Sequence, residues 1–154
     1  MIEHDVYTRL KDLGIELPTT GAPAAAYVMS AQSGNVVYLS GHIAKQGGKV
    51  WAGKLGETLT TQEGYVAARL TAIDLLATLH AHLGDLNRVT RIVKVLSLVN
   101  STSGFTEQHL VTNGASELLA EVFGDKGKHA RSAFGVAQIP LGACVEIEMT
   151  VEVS

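Results

Sequence analysis

The chain has 154 residues and a formal charge of −3 at pH 7, with 46% hydrophobic and 18% charged residues. That length is typical of one domain that can bury its own core, and the small share of charge argues against intrinsic disorder. A slightly acidic chain lacks the basic surface typical of nucleic-acid-binding proteins, so we expect no nucleic-acid partner. The single cysteine, Cys144, excludes an intramolecular disulfide and a zinc site built from cysteines.

The N-terminal residues, Met1 to Asp5, are acidic and precede no apolar run, which is unlike a secretory signal. No stretch reaches the roughly 18 apolar residues that a membrane helix needs. We therefore expect a cytoplasmic protein with no membrane partner.

The first half of the chain predicts a helix, two hairpins and a second helix. Residues 2–13 are predicted to form a short helix that ends at Gly14. Residues 25–31 and 35–40 predict a hairpin, and Gly47-Gly48 predicts a turn before a short strand at Val50-Trp51. The longest helix is predicted from Thr60, with Glu63 completing a capping box, to Gly84.

The second half predicts strand, helix, strand, strand. Residues 90–99 are apolar on both faces, which is typical of a central strand covered on both sides. Residues 107–123 have helical spacing and end at Gly124. Residues 129–138 and 144–153 predict two strands joined as a terminal hairpin, and the second alternates apolar and polar residues strictly. The order indicates an α+β fold, a mixed sheet with both main helices on one face.

Strand 129–138 carries the first candidate site. Its even positions, including Phe134, are interpreted as the face toward the helices. Its odd positions place Arg131 beside the small residues Ala133, Gly135 and Ala137. Small side chains leave room for a ligand or another backbone, and a guanidinium is suited to a carboxylate or phosphate. The spacing alone favours a plainer interpretation, an edge-strand arginine in solvent.

Glu146 offers a similar choice between a solvated face and a site. It shares one face of its strand with Glu148 and Glu152, and such a face is usually wet. Neighbouring strands are apolar on both faces, however, so we expect a second copy of the chain to cover part of it. No His or carboxylate spacing typical of a metal site is present, and we expect no metal. Cys144 is interpreted as an inert buried thiol.

The C-terminal residues resemble a known family. Ala130-Arg131-Ser132, Val136-Ala137-Gln138-Ile139-Pro140 and Val145-Glu146-Ile147-Glu148 resemble the Rid/YjgF family of reactive-intermediate deaminases, formerly called endoribonuclease L-PSP. Leu39-Ser40-Gly41-His42-Ile43 is similar to the family's Ser-Gly-Gln-Ile segment. The resemblance covers residues 22–153 of a single domain, 1–154, and leaves residues 1–20 as an N-terminal extension.

The resemblance implies a chorismate-mutase-like fold that forms a homotrimer with clefts between subunits. It implies hydrolysis of enamines and imines, such as 2-aminoacrylate, to 2-oxo acids and ammonia without a cofactor. Arg131 then corresponds to the arginine that binds the substrate carboxylate, and Glu146 to the site glutamate. Tyr27, Asn113 and Gly41 correspond to further pocket residues.

Two positions depart from the family pattern: Ala133 replaces a frequent cysteine and His42 replaces a glutamine. The backbone at Ala133 can still bind the imine nitrogen or a water, but the departures affect substrate choice. Two alternatives therefore stay open. One is a trimer that binds a small carboxylate and acts as a sensor or regulator without turnover. The other is a ribonuclease, which the acidic pI of about 6.0 disfavours.

Overall fold

The computed structural model describes residues 5–154, which form three α-helices and seven β-strands. The helices are α1 (Val6–Asp12), α2 (Thr61–Leu83) and α3 (Gln108–Phe123). The strands are β1 (Ser30–Ser33), β2 (Val36–Ile43), β3 (Lys45–Gln46), β4 (Lys49–Val50), β5 (Val89–Asn100), β6 (Ala130–Val136) and β7 (Val145–Val153). This order and the α+β class agree with the prediction; residues 2–4 of the first predicted helix lie outside the described residues.

Helix α2 begins and ends where its sequence predicts. The Thr60 hydroxyl accepts a hydrogen bond from the Glu63 backbone N–H at 3.2 Å, and the Glu63 carboxylate accepts one from the Thr60 N–H at 3.1 Å. At the other end Gly84 has a φ of 76° and donates its N–H to the His80 carbonyl. Both devices satisfy backbone groups that have no partner inside a helix, so the capping box and the glycine stop are confirmed.

The main sheet has five strands in the order β1-β2-β7-β5-β6. Strands β5 and β6 run parallel, whereas every other neighbouring pair is antiparallel, so the predicted mixed sheet is confirmed. Strands β3 and β4 form a separate two-stranded ribbon. The strictly alternating strand β7 lies in the centre, where its apolar side chains are buried.

Helices α2 and α3 pack on one face of the sheet, and the core lies between them and the strands. Fully buried side chains of this core are Leu75, Leu76, Leu79, Val95, Leu118, Ile147 and Met149. The other face, called here the open face, carries Tyr38 and Phe134, which are 52% and 47% exposed. Between them the side chains of Leu96 and Leu98 are only half-buried. Within one chain, therefore, the sheet is covered on one side only.

The predicted C-terminal hairpin is wrong. Strands β6 and β7 do not pair, because β5 lies between them. Strand β6 instead pairs with β5, in parallel, at the edge of the sheet. Two parallel neighbours need a crossover connection, and α3 is the helix of that connection. The loop over residues 137–144, which contains the 3-10 helix Pro140–Gly142, then carries the chain back to the centre of the sheet.

The predicted faces of β6 are also reversed. Ser132 accepts a hydrogen bond from the Lys94 ammonium and Phe134 is exposed, so the even positions lie on the open face. The odd positions face the helices. A Cβ at Gly135 would stand 2.5 Å from the Ser101 hydroxyl and 2.9 Å from the Gln108 amide nitrogen. The small residues of β6 thus make room for the segment that begins α3.

The N-terminal segment is attached to the body of the domain by α1. Val6 and Leu10 are buried, and the Asp5 carboxylate caps the helix by accepting from the Thr8 N–H at 2.8 Å. Beyond Gly14 the chain runs to residue 28 without regular structure and is largely exposed. Among the described residues, no helix combines the length and apolar character needed to cross a bilayer.

Candidate functional site

A cavity of about 1040 Å³ lies beside the second half of β2. Strand β1 pairs only with the first half of β2, from Val36 to Leu39, so the cavity lies where that pairing has ended. Its walls come from α2, from residues 14–24, from the β3–β4 ribbon and from Pro140-Leu141. Four of the predicted site residues line it: Tyr27, Gly41, His42 and Glu146.

Glu146 points into this cavity from the open face of β7 and packs against Gly41. A Cβ at position 41 would stand 2.8 Å from the Glu146 Oε2 atom, so the close approach depends on glycine. Within residues 5–154 the carboxylate has no hydrogen-bond partner. Burial raises its pKa above the ordinary value, and the negative charge of Glu148 raises it further. A carboxyl group with a raised pKa holds a proton more readily, which suits a group that takes up a proton and then returns it.

His42 lines the cavity but has no free ring nitrogen. Its Nδ1 lies 2.6 Å from the Ser40 carbonyl, which can only accept, and its Nε2 lies 2.7 Å from the Thr78 hydroxyl. The neutral ring therefore carries its proton on Nδ1 and accepts from Thr78. Burial lowers its pKa, which keeps the ring neutral at pH 7. His42 joins β2 to α2 and shapes the cavity.

Arg131 lies in a second group, on the helix face of β6. Its Nη1 donates to the Asn113 side-chain oxygen at 2.8 Å and to the Ser116 hydroxyl at 3.2 Å. Its Nη2 donates to the His109 carbonyl at 3.3 Å. These three bonds use at most three of the five N–H groups of the guanidinium. At least two N–H groups, the Nε–H among them, therefore have no partner among the described residues and are suited to binding a carboxylate.

The Ser116 hydroxyl is itself oriented by a histidine. His129 Nδ1 lies 2.7 Å from the Gly127 carbonyl, and its Nε2 lies 2.9 Å from the Ser116 hydroxyl. Because Nδ1 must donate to the carbonyl, the neutral ring accepts at Nε2, and Ser116 turns a lone pair toward Arg131. Burial lowers the pKa of His129, and the charge of Arg131 lowers it further. The arginine is therefore neither free in solvent nor held by a carboxylate.

One chain does not bring the two groups together. Arg131 is in register with Val95 and Glu146 with Leu98, and these two β5 residues face opposite sides of the sheet. Ala133 lies on the Arg131 side, opposite Ser97. Strand β5 separates β6 from β7, so the strands that carry Arg131 and Glu146 lie about 10 Å apart. Arg131 does not line the cavity that contains Glu146.

Sequence reasoning missed three ionisable residues of the cavity, Glu16, Lys45 and Asp74. Asp74 lies on α2 one turn before Thr78 and is half-buried. Burial raises its pKa, and the positive charge of Lys45 partly offsets this effect. The helical pattern of α2 gave no signal for Asp74, because a single acid on an amphipathic helix is typical of a solvated position.

Three further observations concern Cys144, two histidines and the residue types that bind metals. Cys144 is buried, and burial raises its pKa to about 11, which agrees with an inert thiol. His80 is bonded to the Tyr7 hydroxyl, whereas His82 is bonded to Ser30 and Gln32. In the part of the chain that the structure describes, no group of three His, Cys, Asp or Glu residues is placed to hold a metal ion.

The sequence of the chain matches the model of one protein family over almost its whole length. Residues 7–153 match the family model described as "YjgF/chorismate_mutase-like, putative endoribonuclease". The chain belongs to this family, which confirms the resemblance found in the sequence. The match begins at Tyr7, so it includes α1 and most of the segment expected to be an extension outside the family likeness.

Individual relatives are similar over nearly the whole chain. Protein TCP17 of Trypanosoma cruzi is 47% identical over 151 residues, covering 97% of this chain and 94% of the relative. The crystal structure of Atu1372, a protein of unknown function from Agrobacterium tumefaciens, is 42% identical with a TM-score of 0.90, covering 97% and 92% of the two chains. A "putative endoribonuclease" from Shewanella oneidensis MR-1 is 30% identical with a TM-score of 0.94, covering 97% and 100%.

Proposed function

We propose that the protein hydrolyses imines and enamines of 2-amino acids to 2-oxo acids and ammonia, at clefts between the subunits of a homotrimer. The observation that carries this proposal is the state of Arg131. Three hydrogen bonds fix its guanidinium, and at least two N–H donors, the Nε–H among them, are left for a carboxylate. A bound carboxylate would place the adjacent C=N carbon at a defined position, which is the main requirement for attack by water.

Glu146 supports the chemistry that follows binding. In the proposed reaction a water oxygen attacks the iminium carbon and gives one proton to the Glu146 carboxylate, which forms a neutral carbinolamine. The protonated Glu146 then donates that proton to the nitrogen. The C–N bond breaks, ammonia leaves, and the hydroxyl proton goes to the ammonia as C=O forms. No electrons are exchanged with another reactant, so the step needs no redox cofactor.

The homotrimer is supported by the uncovered sheet and by the separation of the two groups. Tyr38 and Phe134 are about half exposed on the open face, with Leu96 and Leu98 between them. A second copy on this face would bury an apolar surface. It would also supply the Arg131 that a cavity containing Glu146 lacks within its own chain. Light scattering is expected to give three times the chain mass of 16.3 kDa; a monomer at micromolar concentration would contradict the shared cleft.

Arg131→Ala tests the activity. Imines are generated in place from amino acids by an amino-acid oxidase, and 2-oxo acid formation is measured above the spontaneous rate. Two charge-assisted hydrogen bonds are lost, so kcat/KM should fall by about tenfold to a hundredfold or more. Lys11→Ala is the control, because Lys11 is an exposed cation on α1, which packs against α3 and not on the open face. Equal activity of Arg131→Ala and Lys11→Ala would remove Arg131 from the mechanism.

The same variants separate catalysis from binding alone. The free N–H groups of Arg131 would also bind a small carboxylate in a regulator that catalyses no reaction. That second function predicts thermal stabilisation of the wild type by a 2-oxo acid, loss of the effect in Arg131→Ala, and no product from any imine.

A further inference from the structure

The size of the cavity is the first sign that the substrate is larger than a three-carbon imine. A volume of about 1040 Å³ lies in the range of sites that enclose drug-sized ligands. The sheet contributes Gly41 and Glu146 to its lining, and α2 and the β3–β4 ribbon contribute Asp74 and Lys45. The walls also include the apolar side chains of Leu70, Ile73 and Val50. A cavity of this size, with both apolar and polar walls, is suited to an aliphatic stem that ends in a polar group.

The charge of the cavity indicates which polar group this is. Apart from His42 and Tyr27, its ionisable lining residues are three acids, Glu16, Asp74 and Glu146, and one base, Lys45. A substrate carboxylate would be repelled by this surface, which agrees with its binding at Arg131 instead. The part of the substrate that enters the cavity is then its side chain. A positively charged end group is favoured there by the net negative charge.

Asp74 is the carboxylate placed to meet that group. It is half-buried on α2, lines the cavity, and has no hydrogen bond or ion pair with any residue from 5 to 154. Lys45 is near enough to act on it through its charge, but the two do not form an ion pair. Burial without a partner is unfavourable for a carboxylate, and a bound cation would relieve it.

We propose that Asp74 is a specificity-determining residue that binds the amino or guanidino group at the end of a long side chain, so that the preferred substrates are imines of basic 2-amino acids. This proposal rests on the proposed deaminase function. Lys45 acts in the opposite direction, because its charge competes with the incoming cation for Asp74.

The test compares imines of arginine and lysine with imines of leucine and norleucine. The wild type should have the higher kcat/KM on the basic imines. Asp74→Asn should lower that value about tenfold to a hundredfold, the effect of one charge-assisted interaction, and leave the neutral imines unchanged. Lys45→Met should raise activity on basic imines only. Lys49→Met, another exposed lysine of the same ribbon, is the matched control and should change neither.

A binding measurement keeps the two proposals distinguishable. Calorimetric titration with L-arginine and L-norleucine, which are not hydrolysed, should show tighter binding of L-arginine to the wild type and loss of the preference in Asp74→Asn. If this binding preference is found but no imine is hydrolysed, the deaminase function is refuted and the Asp74 binding site is retained. Two outcomes would overturn the Asp74 proposal alone. In the first, small neutral imines are hydrolysed and basic imines are not preferred. In the second, basic imines are preferred but the preference does not change in the Asp74 and Lys45 variants.

Discussion

Gly41→Ala is the sharpest test of the Glu146 carboxylate, because it adds one methyl group and removes nothing. The new Cβ would stand 2.8 Å from Oε2, 3.0 Å from Cδ and 3.2 Å from Cγ of Glu146. All three atoms belong to a side chain, so the strain is relieved by moving the carboxylate rather than the strands. Ordinary contact begins at 3.4 Å, so the carboxylate must retreat by about 0.6 Å.

This displacement predicts a loss of rate without a loss of fold. A reacting group misplaced by about 1 Å costs on the order of a hundredfold in rate, so a shift of this size should lower kcat by about tenfold or more. KM should change less, because Arg131 carries the proposed binding of the substrate carboxylate. Gly41 does not have a positive φ, so alanine adds no backbone strain, and Tm should stay within about 4 °C of wild type.

The assay is steady-state 2-oxo acid formation with a thermal melt of each variant. Gly104→Ala is the matched control, since a Cβ there meets nothing within 4 Å and its φ is not positive. Full activity of a folded Gly41→Ala would refute the placement of Glu146 at the reacting atoms. An equal loss in Gly104→Ala would show that the effect is not local.

Three further predictions concern stability and reactivity. Gly114→Ala would place a Cβ 2.0 Å from the Tyr65 carbonyl, where α2 and α3 cross, and should cost about 3 kcal/mol; calorimetry should find Tm roughly 10 °C lower, and an unchanged Tm would contradict the crossing. Cys144, whose pKa burial raises to about 11, should resist iodoacetamide at pH 8 and react fully in guanidinium. Burial lowers the pKa of His42, so the unfolded chain takes up a proton near pH 6.5 before the folded one does. The free energy of unfolding should therefore fall as pH drops below about 6.5, and less steeply in His42→Gln; identical slopes would refute this.

Local features of the sequence predicted the elements well. The reciprocal bonds of Thr60 and Glu63 need only neighbouring atoms, and Gly84 provides a left-handed residue at no steric cost. In β7 apolar and polar side chains alternate, and the apolar ones are those on the buried face. These signals depend on a few consecutive residues, so they do not require knowledge of the rest of the fold.

The face of β6 could not be predicted in the same way. Alternation separates two faces but does not say which one meets the helices. The large apolar side chain of Phe134 predicted a core position, but it lies on the open face. Gly135 faces the helices, where Ser101 and Gln108 leave no room for a side chain. The pairing of β6 with β5 instead of β7 is likewise a property of the whole chain. Non-local contacts of this kind leave no pattern in the strand itself.

The residues of the candidate site were found by resemblance, but their arrangement was not. Sequence similarity placed Arg131 and Glu146 in one site, whereas the fold puts them on opposite faces of the sheet. Asp74 carried no motif, and only the cavity distinguishes it from other acids on helix surfaces. The hydrogen bonds of Ser116 with Arg131 and with His129 depend on how α3 meets β6, which no local pattern records.

The central place of β7 has a consequence for synthesis of the chain. Its two neighbours, β2 and β5, precede it in the chain, so neither ladder can form until Val145–Val153 have been synthesised. Until then β2 and β5 each have an unpaired edge, which is the condition under which strands associate wrongly. Loss of β7 would therefore split the sheet into two halves, β1-β2 and β5-β6, rather than trim an edge. Nascent chains of this protein are expected to be prone to wrong strand pairing until β7 is in place.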